Sequence, residues 1–593
     1  MKPYAFFLFA AATAFAQTSA QKPAPDTLYI HGNILTGAHL KPSDPSPTPA
    51  RVTAIAVAHG TISAVGSDAE ILKLKSPQTK VIDLQGAFAM PGFNDAHTHL
   101  ASAGRDKLTV DLNGAASLAD MQQRIQKFVA TATTGSWLEG GGWDHTKWPT
   151  KSLPTKADLD SVTGAHPAMF TRVDGHIVIA NSAALKAANI TAATPDPSGG
   201  KIDHDATGAP TGIVRERPAI ALLNAKIPSP SLDDRHRALS LAIADALASG
   251  VTSVQDFSDW DDFLVLLTLE HTNKLHLRVS EWLDFNLPLK IIEERRASHP
   301  ADDPLLHIGM LKAFMDGSLG SRTAALAEPY ADDPGNSGIP RYDQAKLNQM
   351  SAERLLAHFQ LGFHAIGDEA NTMALNAFSA ANQVGIGAVF PNPQPHATPP
   401  GSVYIPTNDR GNITAADLRF RIEHAQVLLP TDFDRFAQLG VIASMQPSHL
   451  LTDMNWAAAR LGSDRARYSY AWRSMLDHGI TLAFGTDYPV ESINPFRGLY
   501  AAVTRQNEAG TATYQPQEKI TLSEAIYAYT QASAFAEFRE HIKGRLEPGF
   551  LADIIVLDRD PFESTPQQLL HIRVLRTIVN GDTVYEAPTS GAP

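Results

Sequence analysis

Residues 91–100 read PGFNDAHTHL, a short apolar strand ending in two histidines, His97 and His99. In an extended strand, positions i and i+2 face the same side, so both imidazoles can converge on one cation. With 22 histidines in 593 residues, such a pair also arises by chance. The rest of the chain decides the reading. Further apolar runs span Val251 to Asp256, His276 to Trp282, Ile308 to Met315, Gln360 to Ile366, Phe420 to His424, Val441 to Gln446 and Thr481 to Thr486. With Phe93 to His97 they make eight. Helix-like stretches lie between them. Asp233 to Ser249, for example, opens on acidic residues and stops before Gly250, as a helix does. Alternating strand and helix units predict a parallel α/β architecture, and eight of them a TIM-like (β/α)8 barrel.

The later runs end on a consistent set of residues. Lys312 lies in IGMLKAFMDGSLGSRT, His364 in LGFHAIGDEAN, His424 in RFRIEHAQ and Asp487 in TLAFGTDYPV. Each is at or near the carboxyl end of its strand, where a barrel places its active site. Four histidines, an aspartate and a lysine are thus expected in one mouth. An ammonium cannot bind a cation. A lysine whose pKa falls through burial and nearby positive charge can take up carbon dioxide, and the resulting carbamate can bridge two metals about 3.5–4 Å apart.

Composition narrows the alternatives. The chain has no cysteine, which excludes disulfide frameworks, zinc fingers, iron–sulfur clusters and thiol nucleophiles, so any metal must be held by histidine and carboxylate. Lys and Arg number 49 against 62 Asp and Glu, a net charge of −13 without a basic footprint, so no nucleic-acid partner is expected. A 44% hydrophobic chain with 19% charged residues can bury a large core.

Residues 1–16, MKPYAFFLFAAATAFA, carry the basic start, apolar run and A-x-A ending of a secretory signal peptide, with cleavage expected after Ala16. Export to a bacterial periplasm or the exterior is expected, with no membrane span in the mature chain. Short β-like segments at residues 26–90 and 544–587 predict one composite β-sandwich built from both termini around the barrel at 91–543. About 150 residues separate the first two barrel strands, too many for a simple crossover, so an inserted subdomain is expected at about 135–230. A Pro-, Gly- and Asn-rich loop, Val389 to Asn412, reads as a surface excursion.

The ordered set PGFNDAHTH, GGWDHTKWP, TRVDGHIVIANSAAL, PTGIVRE, GVTSVQDF, MDGSLGSRTAAL, FHAIGDEA, RIEHAQ, FGTDYPV and GRLEPGFLADIIVLD resembles the amidohydrolase superfamily over nearly the whole mature chain. Within it, the sequence resembles the branch of large YtcJ-like proteins that includes N-substituted formamide deformylases. The resemblance implies a barrel plus a small terminal β-sandwich. It implies two divalent metal ions, as Zn2+: His97, His99 and Asp487 at the first, His364 and His424 at the second, and carboxylated Lys312 between them. Asp553 would be structural. Two departures from neighbouring branches bear on the metal count. The position three residues after His364, where deaminases carry glutamate, is Gly367, and no cysteine is available as an alternative bridge.

The implied reaction is hydrolysis of a C–N bond, in an amide, N-formyl or cyclic amide group of a small-molecule substrate. Metal-activated hydroxide attacks, and Asp487 acts as general base. The same barrel could instead cleave an ester, lactone or phosphoester, or serve as a non-catalytic binding protein; the complete ligand set speaks against the last. The sequence leaves a homodimer open. Trp143, Asp144, His145, Trp148, Asp174 and His176 read either as a lid over the mouth or as turn chemistry around packed tryptophans. His176, Trp143, Arg322 and His449 are the candidate substrate contacts. Asp316 and Arg322 could alternatively pair with each other. Glu423, by strand alternation, is expected to point away from the mouth and play a supporting part.

Overall fold

The computed structural model describes residues 24–41, 49–387 and 415–588. The expected signal peptide and the loop from Val389 to Asn412 lie outside them. Eight parallel strands form the central sheet: β1 (Phe93–Thr98), β2 (Val251–Asp256), β3 (Arg278–Asp284), β4 (Leu306–Phe314), β5 (Leu361–Ala365), β6 (Arg421–His424), β7 (Ile442–Met445) and β8 (Leu482–Phe484). They pair in sequence order from β1 to β8. A parallel bridge between Thr98 and Tyr488 brings the two edges together, closing the barrel. All eight expected runs are strands, with ends displaced by up to a few residues.

Burial on both faces explains why these runs read as apolar. Every residue of β1, β2, β6 and β7 is buried. The helix after the insert, Leu232–Ala248, begins with a capping box at Ser231 and ends before Gly250 at φ +78°, where a side chain would be strained. It packs against the helix Leu100–Lys107 that follows β1. Gly104 makes that approach feasible, because a Cβ there would sit 1.9 Å from the carbonyl oxygen of Ala238.

Two smaller sheets bring the termini together. One is wholly N-terminal, with strands Thr61–Gly66, Ala54–Ala58, Thr27–Ile30 and Lys80–Asp83 side by side. In the other, C-terminal strands continue into N-terminal ones through the antiparallel pairing of Ile554–Leu557 with Phe88–Pro91. Arg278 in β3 fixes this sheet to the barrel floor by donating two hydrogen bonds to Asp553, at 2.6 and 2.8 Å. Asp553 is therefore an ion-pair partner at the end remote from the mouth.

The segment between β1 and β2 folds on a six-stranded sheet of its own, from Val110–Asp111 at one edge to Lys201–His204 at the other. Its core takes in Val110, Leu112, Met121 and Ile125 as well as Trp143 and Trp148. The insert thus begins near residue 110 and not near 135. Its edge strand is only two residues long and leaves no periodic signal in the sequence. Among the described residues, no helix is long and apolar enough to cross a membrane.

Candidate metal centre

At the C-terminal end of the barrel, β1 delivers His97 and, one residue beyond the strand, His99. His99 Nε2 lies 3.2 Å and His97 Nε2 3.6 Å from Asp487 Oδ1. Asp487 follows β8 with φ +58°, and His424 ends β6 with φ +74°. Both left-handed residues break strand alternation. Gly485 allows β8 to close on β1, since a Cβ there would lie 2.5 Å from the His97 backbone nitrogen. The His424 ring lies 5.1 Å from that of His97, 4.5 Å from His364 and 5.9 Å from His449, centroid to centroid. His449 Nε2 approaches Asp487 Oδ2 at 3.7 Å. Lys312 is fully buried, its Nζ 3.0 Å from His97 Nε2.

Two groups of donor atoms fall within 4.8 Å of one another: His97, His99 and Asp487, and His424, His449 and Asp487. The hydrogen bonds decide which ring nitrogens are free. His97 Nδ1 meets Glu423 Oε2 at 2.9 Å, His99 Nδ1 meets the Phe257 carbonyl at 2.9 Å, and His364 Nε2 meets the Gly317 carbonyl at 3.0 Å. In each ring the nitrogen that donates to an oxygen fixes the tautomer and leaves a lone pair on the other, which in His97 faces Lys312 Nζ. Buried His424 Nδ1 and His449 Nε2 have no hydrogen-bond partner at all. Unpaired buried nitrogens cost about 1–3 kcal/mol each unless something binds them. A divalent cation fits this donor set.

Electrostatics keep the donors in ligand form. Burial holds His97 down to about 3 and His424 well below its ordinary value, so both imidazoles are neutral. Burial opposes ionisation of Asp487, but the positive charge that His97 and its neighbours take up in acid, together with the hydrogen bond from His99, outweighs it and keeps the carboxyl well below the usual range. Burial also lowers Lys312 to about 8, which leaves a fraction of neutral amine at neutral pH. Its ammonium sits 5.1 Å from each of the Trp282 and Phe314 ring centroids.

Several expectations need correction. Trp143 is fully buried in the insert, donating from Nε1 to the Phe170 carbonyl at 2.9 Å, and is a core residue with no free face for substrate. The His176 side chain is 64% exposed and pairs with Glu216 of the insert at 3.0 Å. Arg322 forks onto Asp332, at 3.1 and 3.0 Å, and does not pair with Asp316. Asp316 instead accepts the backbone N–H groups of Ala325, Ile366 and Gly367. His449 alone of the four proposed contacts reaches the cluster. Glu423 does not point away: it shares the inner face of β6 with Arg421, which donates to it at 2.9 Å, and it supports His97 from inside the barrel. Two further carboxylates lie inside the barrel. Asp95 accepts from Thr486 Oγ1 and the His97 N–H, at 2.6 and 3.1 Å, and Asp256 accepts from Thr98 and the Leu100 N–H. Asp95 stands two residues before His97 on the same strand face, a signal the sequence did contain.

Barrel, terminal sheets and a histidine-rich mouth define a hydrolase-type (β/α)8 site, and comparison with known proteins gives the family. Residues 80–585 match the model of the Amidohydrolase family, and the chain belongs to it. The chain is 33% identical over 572 residues to Protein LONG AFTER FAR-RED 3 of Arabidopsis thaliana, covering 94% of this chain and 91% of that one. It is 32% identical over 550 residues to the putative amidohydrolase YtcJ of Bacillus subtilis, covering 90% and 96%. It is 26% identical over 559 residues to the N-substituted formamide deformylase of Arthrobacter pascens, covering 90% and 95%. An uncharacterized metal-dependent hydrolase from Pyrococcus horikoshii superposes with a TM-score of 0.73 at 26% identity, covering 91% of this chain and 99% of that one.

Proposed function

We propose that the protein is an exported, metal-dependent hydrolase of C–N bonds in small amides, N-formyl compounds or cyclic amides. The observation that carries the reading is the cluster of imidazoles gathered around Asp487 and a fully buried Lys312, with His424 Nδ1 and His449 Nε2 left without a hydrogen-bond partner. His97, His99 and Asp487 would hold one divalent cation, as zinc, and His364 and His424 a second, with Lys312 bridging them as its carbamate. Cations held there would supply Lewis acidity at neutral pH.

The chain's own groups account for the proton and the geometry. Asp487, ionised and facing both donor groups, takes a proton from the attacking water and returns it to the leaving nitrogen as the C–N bond breaks. His449, 3.7 Å from Asp487 Oδ2, is placed to orient the substrate's polar group beside that carboxylate. Trp282 and Phe314 wall off Lys312 and exclude bulk water from it. Glu423 holds the His97 ring in the tautomer that presents Nε2.

Metal analysis of the purified protein together with Lys312→Ala tests the reading: the variant is expected to lose activity and much of the bound metal. Full metal content with undiminished turnover in that variant would overturn the bridging role. A panel of N-formyl, N-acyl, cyclic amide, lactone and phosphoester substrates tests the bond type, and a clear preference for the oxygen esters would move the protein out of C–N chemistry. N-terminal sequencing of the mature protein tests export, with a start at Gln17 expected.

A further inference from the structure

A second group of metal-type donors stands apart from the mouth. Glu270 lies in the last turn of the helix Trp260–His271, whose C-terminal end leads toward the start of β3. His299 and Asp303 lie in the connection that leads into β4. Both connections enter strands from their amino ends, so this group sits at the barrel floor, opposite the catalytic end. One donor atom from each of the three residues falls within 4.8 Å of the others.

The geometry points to a second, structural site for a zinc-type divalent cation, made by Glu270, His299 and Asp303. His299 Nε2 lies 3.6 Å from Glu270 Oε1 and 4.0 Å from Asp303 Oδ2. These separations are too long for hydrogen bonds. They suit ligands around a common ion at about 2.0–2.3 Å from each. The His299 side chain is only 8% exposed, and its Nε2 is buried without a hydrogen-bond partner. The nitrogen faces both carboxylates across a gap.

The surrounding contacts pre-set the donors. Asp303 spends Oδ1 on the N–H groups of Leu305 and Leu306, at 2.7 and 3.3 Å, leaving Oδ2 for the gap. The His299 ring packs edge-on against Phe263 of the helix, 6.3 Å between centroids. One imidazole and two carboxylates neutralise a dication and favour a borderline metal over calcium, which takes six to eight oxygens. A cation there would clamp the connection into β4, the strand that carries Lys312, to the helix after β2. Its work is to stiffen the floor.

The test uses the full chain, stripped with a chelator and dialysed against buffered zinc, beside His299→Gln and Glu270→Gln. Each variant is expected to bind one zinc fewer per chain than the unaltered protein. Hydrogen exchange across residues 298–306 should slow on adding zinc in the unaltered protein and not in the variants. Melting of the zinc-free forms shows that the variants are folded, and Glu270→Gln stands in if His299→Gln is not. Equal zinc content in the unaltered protein and the folded variant, or zinc-dependent protection that persists in it, overturns the site.

Discussion

The insert and the barrel mouth draw on the same residue types, tryptophan, histidine and carboxylate at turns, and arrange them in opposite ways. In the insert the aromatic rings go inside. Trp143 and Trp148 are buried, each indole N–H donating to a backbone carbonyl at 2.9 Å, while Asp144 and Asp174 share Arg172 nearer the surface. In the mouth the polar groups go inside. His97, Lys312, Glu423, His424 and Asp487 are all buried, and two mouth nitrogens, His424 Nδ1 and His449 Nε2, remain unpaired. Burying polar groups without partners is unfavourable, so a fold that keeps such a cluster does so for a ligand. His145 Nδ1 and Arg172 Nε of the insert are also without a partner, so what tells the two regions apart is which side chains are buried, indoles in the insert and ionisable groups in the mouth.

Substitutions can break that contrast. At the mouth, Asp487→Asn should lower kcat by about 10²- to 10⁴-fold, the range for losing a general base, with far-UV circular dichroism unchanged. Glu423→Gln removes the carboxylate behind His97 and should weaken metal affinity by roughly 10- to 100-fold, read by competition with a chromogenic chelator. In the insert, Trp143→Phe strands the Phe170 carbonyl and should destabilise the protein by about 1–3 kcal/mol in urea unfolding, while kcat of the folded enzyme holds. His176→Ala, at an exposed position, should change stability by less than about 0.5 kcal/mol and leave kcat/KM as it was. A large loss of activity in His176→Ala would return the insert to the role of a lid and dissolve the contrast.

Much of this is legible in the sequence. The barrel strands showed as apolar runs because both their faces are buried, and the terminal sheet showed as β patterns at both ends of the chain. What failed was inference from alternation and from isolated motifs. Glu423 keeps the inner face with Arg421, two residues before it, and it is His424, at φ +74°, that departs from the two-residue period and also reaches the mouth. His449, by contrast, is among the candidate contacts and does reach Asp487, although it opens a short helix whose local sequence shows no link to that carboxylate. Gly367 shows the converse. Its place in the sequence marked a missing glutamate, but only the fold gives the reason: a Cβ there would lie 1.9 Å from the Ala325 carbonyl oxygen.

The sequence by itself determined the barrel, its family and the residue types at its strand ends, because periodicity and motif spacing are local properties of the chain. The tertiary structure alone decided which nitrogens stay free, which carboxylates stand behind them, and which tryptophans are merely core. Those depend on hydrogen-bond partners far apart in sequence, such as Glu423 behind His97 and Asp95 beneath Thr486. Burial makes the absence of such a partner costly enough to carry meaning.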